Sequence, residues 1–165
     1  MMKIFNKIFV AISIAIALAM ALSMFAGQNI GAGEEQRAKD GIKATMFMQL
    51  VYAAAMFFLL PIMAPALIKL FGLGDDATVL GLATMGVSFM ARMVWIFGMF
   101  QALNQFHRGV GDTKFSMVAS LCLVLVRVPI TYWMVHGIQL GEISIWAGMV
   151  TGWAVAFTLN AVRFL

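Results

Sequence analysis

Long apolar runs without a charge, each stopped by a short polar turn, constrain this chain more than any other feature. No charge lies between Lys7 and Glu34, from Ala44 to Ile68, or from Ile143 to Val162. A helix needs about 20 mostly apolar residues to cross the hydrocarbon core of a bilayer. Backbone polar groups there must bond among themselves, which leaves helices and closed barrels. The runs are continuous and lack the alternating ten-residue pattern of barrel strands, so they read as helices. Five are predicted, at about 8–26, 46–70, 79–103, 115–135 and 143–162. The chain is 63% hydrophobic and 11% charged, where soluble domains carry about a quarter charged residues. The excess apolar surface belongs against lipid. The fold class is therefore all-α and integral to the membrane, one transmembrane domain over residues 1–165.

The connections are short. Glu34–Lys43 reads as a polar helical segment, with Glu35 and Lys39 spaced to pair on one face. Residues 72–76 and 137–142 read as tight turns. The lone Cys122 excludes an internal disulfide. The net charge of +4 sits at the ends of apolar runs, which marks topology and not a nucleic-acid surface. With the N-terminus outside, Arg37, Lys39, Lys43, Arg108, Lys114 and Arg163 fall in the cytoplasm, against Lys3, Lys7 and Lys69 outside. The excess of basic residues favours that orientation and a cytoplasmic C-terminus. Lys3 and Lys7 fit it poorly, which an additional upstream helix would resolve. A rival reading of the same stretch is a secretory signal peptide ending at Ala21-Leu22-Ser23.

The turns carry the most specific pattern. Residues 23–39 read Ser-Met-Phe-Ala-Gly-Gln-Asn-Ile-Gly-Ala-Gly-Glu-Glu-Gln-Arg-Ala-Lys, and residues 107–114 read His-Arg-Gly-Val-Gly-Asp-Thr-Lys. The first resembles the end of helix eight in MATE (multidrug and toxic compound extrusion) transporters. The second is similar to that family's helix-ten exit. Arg127-Val128-Pro129 and Ile145-Trp146-Ala147-Gly148 fall in the matching order. The resemblance implies a fold of twelve helices in two bundles, of which this chain holds helices eight to twelve, a partial lobe truncated at its N-terminus. It also implies a partner for that lobe, either the missing N-terminal lobe or a separate chain. Gly27, Gln28, Gly31, Gly33, Gly109, Gly111 and Pro129 are candidate hinge or turn residues. Gly31, Gly33, Gly109 and Gly111 have a plainer reading as helix ends, since glycine supplies no chemical group.

Ionisable groups inside a membrane are costly and usually functional. Arg92 and Arg127 lie within predicted helices, Arg92 roughly 20 Å from either flanking charge at 1.5 Å per residue. Both are candidate cavity or substrate residues, or else bond to backbone carbonyls, lipid phosphate or the absent half. Gln49, Gln101 and Asn104 are further cavity candidates, with bonding between helices as the alternative. Pro129 removes the amide that would bond Leu125 and predicts a kink beside Arg127. Pro61 and Pro65 predict a bend in the second helix. His107 and His136, near helix ends, read as interface anchors. All seven carboxylates fall outside the five predicted helices, so no proton or sodium site is visible. The resemblance implies H+ or Na+ as coupling ion, bound elsewhere, and no other cofactor.

The resemblance implies a secondary active transporter in a bacterial-type plasma membrane, exporting drug-like or toxic organic compounds by ion-coupled antiport. A lipid-linked sugar flippase of the same superfamily suits the two arginines, which would face anionic intermediates. An inactive truncated remnant is the third reading. A membrane enzyme is disfavoured, because no metal-ligand spacing, nucleophile elbow or phosphate loop is present.

Overall fold

The computed structural model describes residue 17, residues 20–72 and residues 76–165. The start of the expected first helix, with Lys3, Lys7 and most of the signal-peptide reading, lies outside them. Among the described residues there are five helices and no strand. They are α1 (residues 20–31), α2 (Glu35–Leu70), α3 (Ala77–Gly109), α4 (Thr113–Trp133) and α5 (Ile143–Phe164). A π-helical turn, Met134–Ile138, extends α4. Short turns make successive helices antiparallel. One end of the bundle holds Gly33, Gly111 and the last turn of α5; the other holds Gly72 and Gly141. Four of the helices are long and apolar enough to cross a membrane.

The helices overrun their apolar runs. The polar segment Glu34–Lys43 is not a separate element: α2 begins at Glu35 and continues for 36 residues. At 1.5 Å per residue that is roughly 54 Å, well beyond a hydrocarbon core of about 30 Å. Hydropathy marks only the part inside the membrane, whereas the hydrogen-bond ladder continues into water. Two expectations change with it. Glu35 and Asp40 are helical residues, so the helices are not free of carboxylates, although both sit in the polar start of α2. The ion pair on that segment is Lys43 with Asp40 at 3.3 Å, which also accepts from Gln36 at 3.1 Å; Glu35 and Lys39 form none. The prolines do not interrupt their helices: α2 runs through Pro61 and Pro65, and α4 through Pro129.

Both glycine-rich turns close in the same way. After α1, the Ala32 amide donates to Gln28, Gly33 to Ile30, and Glu34 to the Asn29 carbonyl at 2.8 Å. After α3, the Val110 amide donates to Phe106, Gly111 to Arg108, and Asp112 to the His107 carbonyl at 2.8 Å. The long bond across six residues over a left-handed residue is a Schellman cap. Gly33 (φ 80°) and Gly111 (φ 90°) supply that conformation, which a side chain would strain. The preceding glycines, Gly31 and Gly109, remain helical. At the opposite end the π-helical turn finishes at Gln139, itself left-handed (φ 57°).

Packing is tightest toward the Gly111 end. Leu22 and Ala26 of α1, Ala38 and Ile42 of α2, and Ala102, Leu103 and Phe106 of α3 form one buried cluster, with Phe157, Ala161 and Phe164 of α5 against it. Small residues let the backbones approach, as membrane helix interfaces require. A Cβ on Gly109 would collide with the Ser23 backbone of α1, and one on Gly27 would stand 2.9 Å from the Gly109 carbonyl oxygen. On α5, Ser144, Gly148, Gly152, Ala156 and Asn160 recur every four residues and are all buried. This stripe receives α4: Thr131 fills the space at Gly148, and the Leu123 carbonyl lies 2.9 Å from where a Gly152 Cβ would be.

Candidate functional site

The polar residues that the fold brings together lie at the Gly111 end. Asn104 of α3 is buried and faces α4. Its Nδ2 donates to Ser120 Oγ at 3.3 Å, and its Oδ1 accepts from Ser116 Oγ at 2.7 Å. Arg108 Nε donates to Ser116 Oγ at 2.9 Å. Asn104 and Arg108 are one turn apart on α3, and Ser116 and Ser120 one turn apart on α4, so two matching rows close a polar ladder. Asn104 is thus bonded between helices. Burial without those partners would cost about 1–3 kcal/mol for each orphaned group.

His107 corrects an expectation. It is not an exposed anchor but is 4% exposed, with Nε2 3.1 Å from the Asn160 carbonyl of α5. A carbonyl only accepts, so Nε2 carries the proton. Edges of Phe106 and Phe115 enclose the ring. Nearby, Arg163 Nε of α5 donates to Asp112 Oδ2 at 2.9 Å, and the guanidinium lies 5.7 Å from the Phe115 ring centre. The Arg163 contact holds the Asp112 carboxyl below its ordinary range. These contacts fasten the α3–α4 turn to the last turn of α5. Sequence reasoning placed Arg163 and Asp112 only as topology charges and missed Ser116, Ser120 and Asn160. The four-residue spacing of Ser116 and Ser120 was the available signal. At the opposite end, Asp76 caps α3 by accepting from the Thr78 amide at 2.7 Å, which lowers its carboxyl as well. The exposed His136 stacks on Tyr132, with centroids 4.4 Å apart.

The other candidates do not converge. Gln49 of α2 is buried, with Oε1 3.1 Å from where a Gly98 Cβ would stand, so it fills the space that Gly98 leaves on α3. Gln101 is half-buried on α3. Arg127 is half-buried on α4, its Cβ 3.5 Å from the Cβ position of Gly152. Arg92, near the middle of α3, is exposed, and no hydrogen bond or ion pair holds it among the described residues. Gln28 is exposed, Pro129 is exposed within α4, and among the described residues nothing beyond the adjoining chain lies within 4 Å of a Cβ built on Gly31, Gly33 or Gly111. No group of three metal-ligating side chains occurs among the described residues.

A charge at the bilayer centre costs about 2.5–3.5 kcal/mol on insertion scales. An exposed Arg92 in mid-span therefore belongs against protein, water or an anion and not against lipid tails. Antiparallel apolar helices, small-residue contacts and two mid-span arginines, Arg92 and Arg127, without a hydrogen bond or ion pair among the described residues define a multi-pass helical membrane protein. A family model of MatE matches residues 2–133, and the chain belongs to that family. No curated protein matches it. A solved structure of a multidrug resistance MATE family transporter of the MOP superfamily, in an inward-facing conformation, is similar to it. The TM-score is 0.81 at 16% identity, covering 98% of this chain and 36% of that one. The shared fold is thus a partial MATE-type lobe, and the chain spans little more than a third of that transporter's length.

Proposed function

We propose that the chain is a lobe of a secondary active transporter that exports drug-like or toxic organic compounds by ion-coupled antiport, with alternating access. The likeness to a solved MATE transporter over 98% of the chain supports this reading most directly. Its counterpart is an N-terminal lobe, in the same protein or in a separate chain, and the cavity forms between the two. The coupling ion is H+ or Na+, bound outside this segment, because the membrane-crossing parts of α2 to α5 carry no carboxylate. The membrane is a bacterial-type plasma membrane, with residues 31–34, 110–112 and the C-terminus on the cytoplasmic side.

The test is accumulation of ethidium, a cation, and of a fluorescent sulfonate, an anion, in cells stripped of their own drug exporters, with and without the full-length protein. Expression is expected to lower accumulation of at least one of the two severalfold, and a protonophore or sodium removal to abolish the difference. Equal accumulation of both with normal membrane expression rejects the export role.

A further inference from the structure

Resting on the transporter reading, we infer that the open stripe of α3 around Arg92 binds the anionic group of an amphiphilic substrate, so that this chain takes anions in preference to organic cations. Four observations support the assignment. Arg92 is exposed in mid-helix with no protein partner among the described residues. From Arg92 to either end of the apolar run 79–103 is roughly 16–20 Å at 1.5 Å per residue, beyond the reach of a snorkelling guanidinium. The chain's own carboxylates are Glu34, Glu35, Asp40, Asp75, Asp76, Asp112 and Glu142, all at or near helix ends in sequence, so the counter-charge comes from elsewhere. Finally, the stripe has the shape of a ligand platform. Met85, Ser88, Arg92 and Trp95 are spaced by three, four and three residues, which places them on one helix face. Met85 is 43% and Trp95 44% exposed, and Ser88 is half-buried.

The chemistry follows from those side chains. The guanidinium offers a planar fork to a carboxylate, sulfonate or phosphate. The Ser88 hydroxyl and Trp95 indole N–H are further donors. Met85 and the indole face give an apolar bed for the rest of the molecule. An organic cation would meet repulsion from Arg92 and find no carboxylate.

Binding is measured on the full-length protein in phosphatidylcholine nanodiscs, with empty nanodiscs subtracted. The probes are 8-anilinonaphthalene-1-sulfonate and, as a bulky cation, tetraphenylphosphonium. Saturable sulfonate binding is expected, undisturbed by the cation. Arg92→Gln should weaken it roughly tenfold or more, the range of a lost charge-assisted hydrogen bond, while Arg92→Lys retains most of it. Melting temperatures separate lost binding from lost folding, and Arg92→Met, which keeps the apolar stem, replaces Arg92→Gln if that variant does not fold. Displacement by added phosphatidylglycerol assigns the site to a lipid headgroup; failure to displace assigns it to a free amphiphile. Either result supports an anion site.

Unchanged sulfonate affinity in a folded Arg92→Gln protein overturns the inference. So does a wild type that binds no sulfonate yet melts lower as Arg92→Glu, because a carboxylate elsewhere in the protein then already holds Arg92. Equilibrium binding needs no transport. Export of tetraphenylphosphonium without sulfonate binding therefore removes only this inference, while sulfonate binding without export removes only the transporter reading.

Discussion

Gly109 and Gly31 have the same place in two matching turns, one residue pair before a left-handed glycine, yet only one of them is pressed by a neighbour. A Cβ at Gly109 meets the Ser23 backbone, whereas at Gly31 it meets open space. Gly109→Ala should therefore push α1 from α3 and cost about 1–3 kcal/mol, the usual range for overpacking. Gly31→Ala should be neutral or stabilise by about 0.5 kcal/mol, because alanine orders a helical position more readily. Thermal unfolding in one detergent decides between them, and equal shifts would refute the contact. From sequence the two glycines read alike, as hinge or turn candidates. What separates them is Ser23, more than eighty positions away in the chain, and no local pattern reports it. The same holds for Asn104, legible as a polar residue in an apolar run but not as the partner of Ser116 and Ser120.

At the scale of elements, helix number and order were legible, and helix length was not. The apolar run gives the part of α2 in the membrane, while Glu35–Lys43 extends the same ladder into water, where hydropathy is silent. The clasp between the α3–α4 turn and α5 was hidden for a related reason: Asp112 and Arg163 each look like an ordinary terminal charge until the fold joins them. Its pH dependence has a definite sign. The Arg163 hydrogen bond, the largest cause, holds the folded Asp112 carboxyl below its ordinary value of 3.8. The clasp thus contributes above that value and is lost as pH falls through the lower, folded one. A melting-temperature gap between wild type and Asp112→Asn should persist from pH 7 to about pH 5 and close below about pH 4. The pair is partly exposed, so the gap should be small and shrink with salt. A gap unchanged at low pH would mean that Asp112 works through something other than its charge.

For the whole molecule, the basic residues of the Gly111 end are the basis of the proposed direction across the membrane. In a Cys122→Ser background, Ala32→Cys should resist an impermeant maleimide in intact cells, and Gln139→Cys should react. The reverse labelling would invert the proposed orientation. The two matched caps also bear on how the protein is made. At each, one left-handed glycine and three backbone bonds close the chain between antiparallel helices, with only three residues outside the helical ladders. A helix pair that short-coupled has its turn amides satisfied before any other helix arrives. During synthesis the α3–α4 turn can therefore close before α5 emerges, although α4 gains its main packing partner only when α5 arrives.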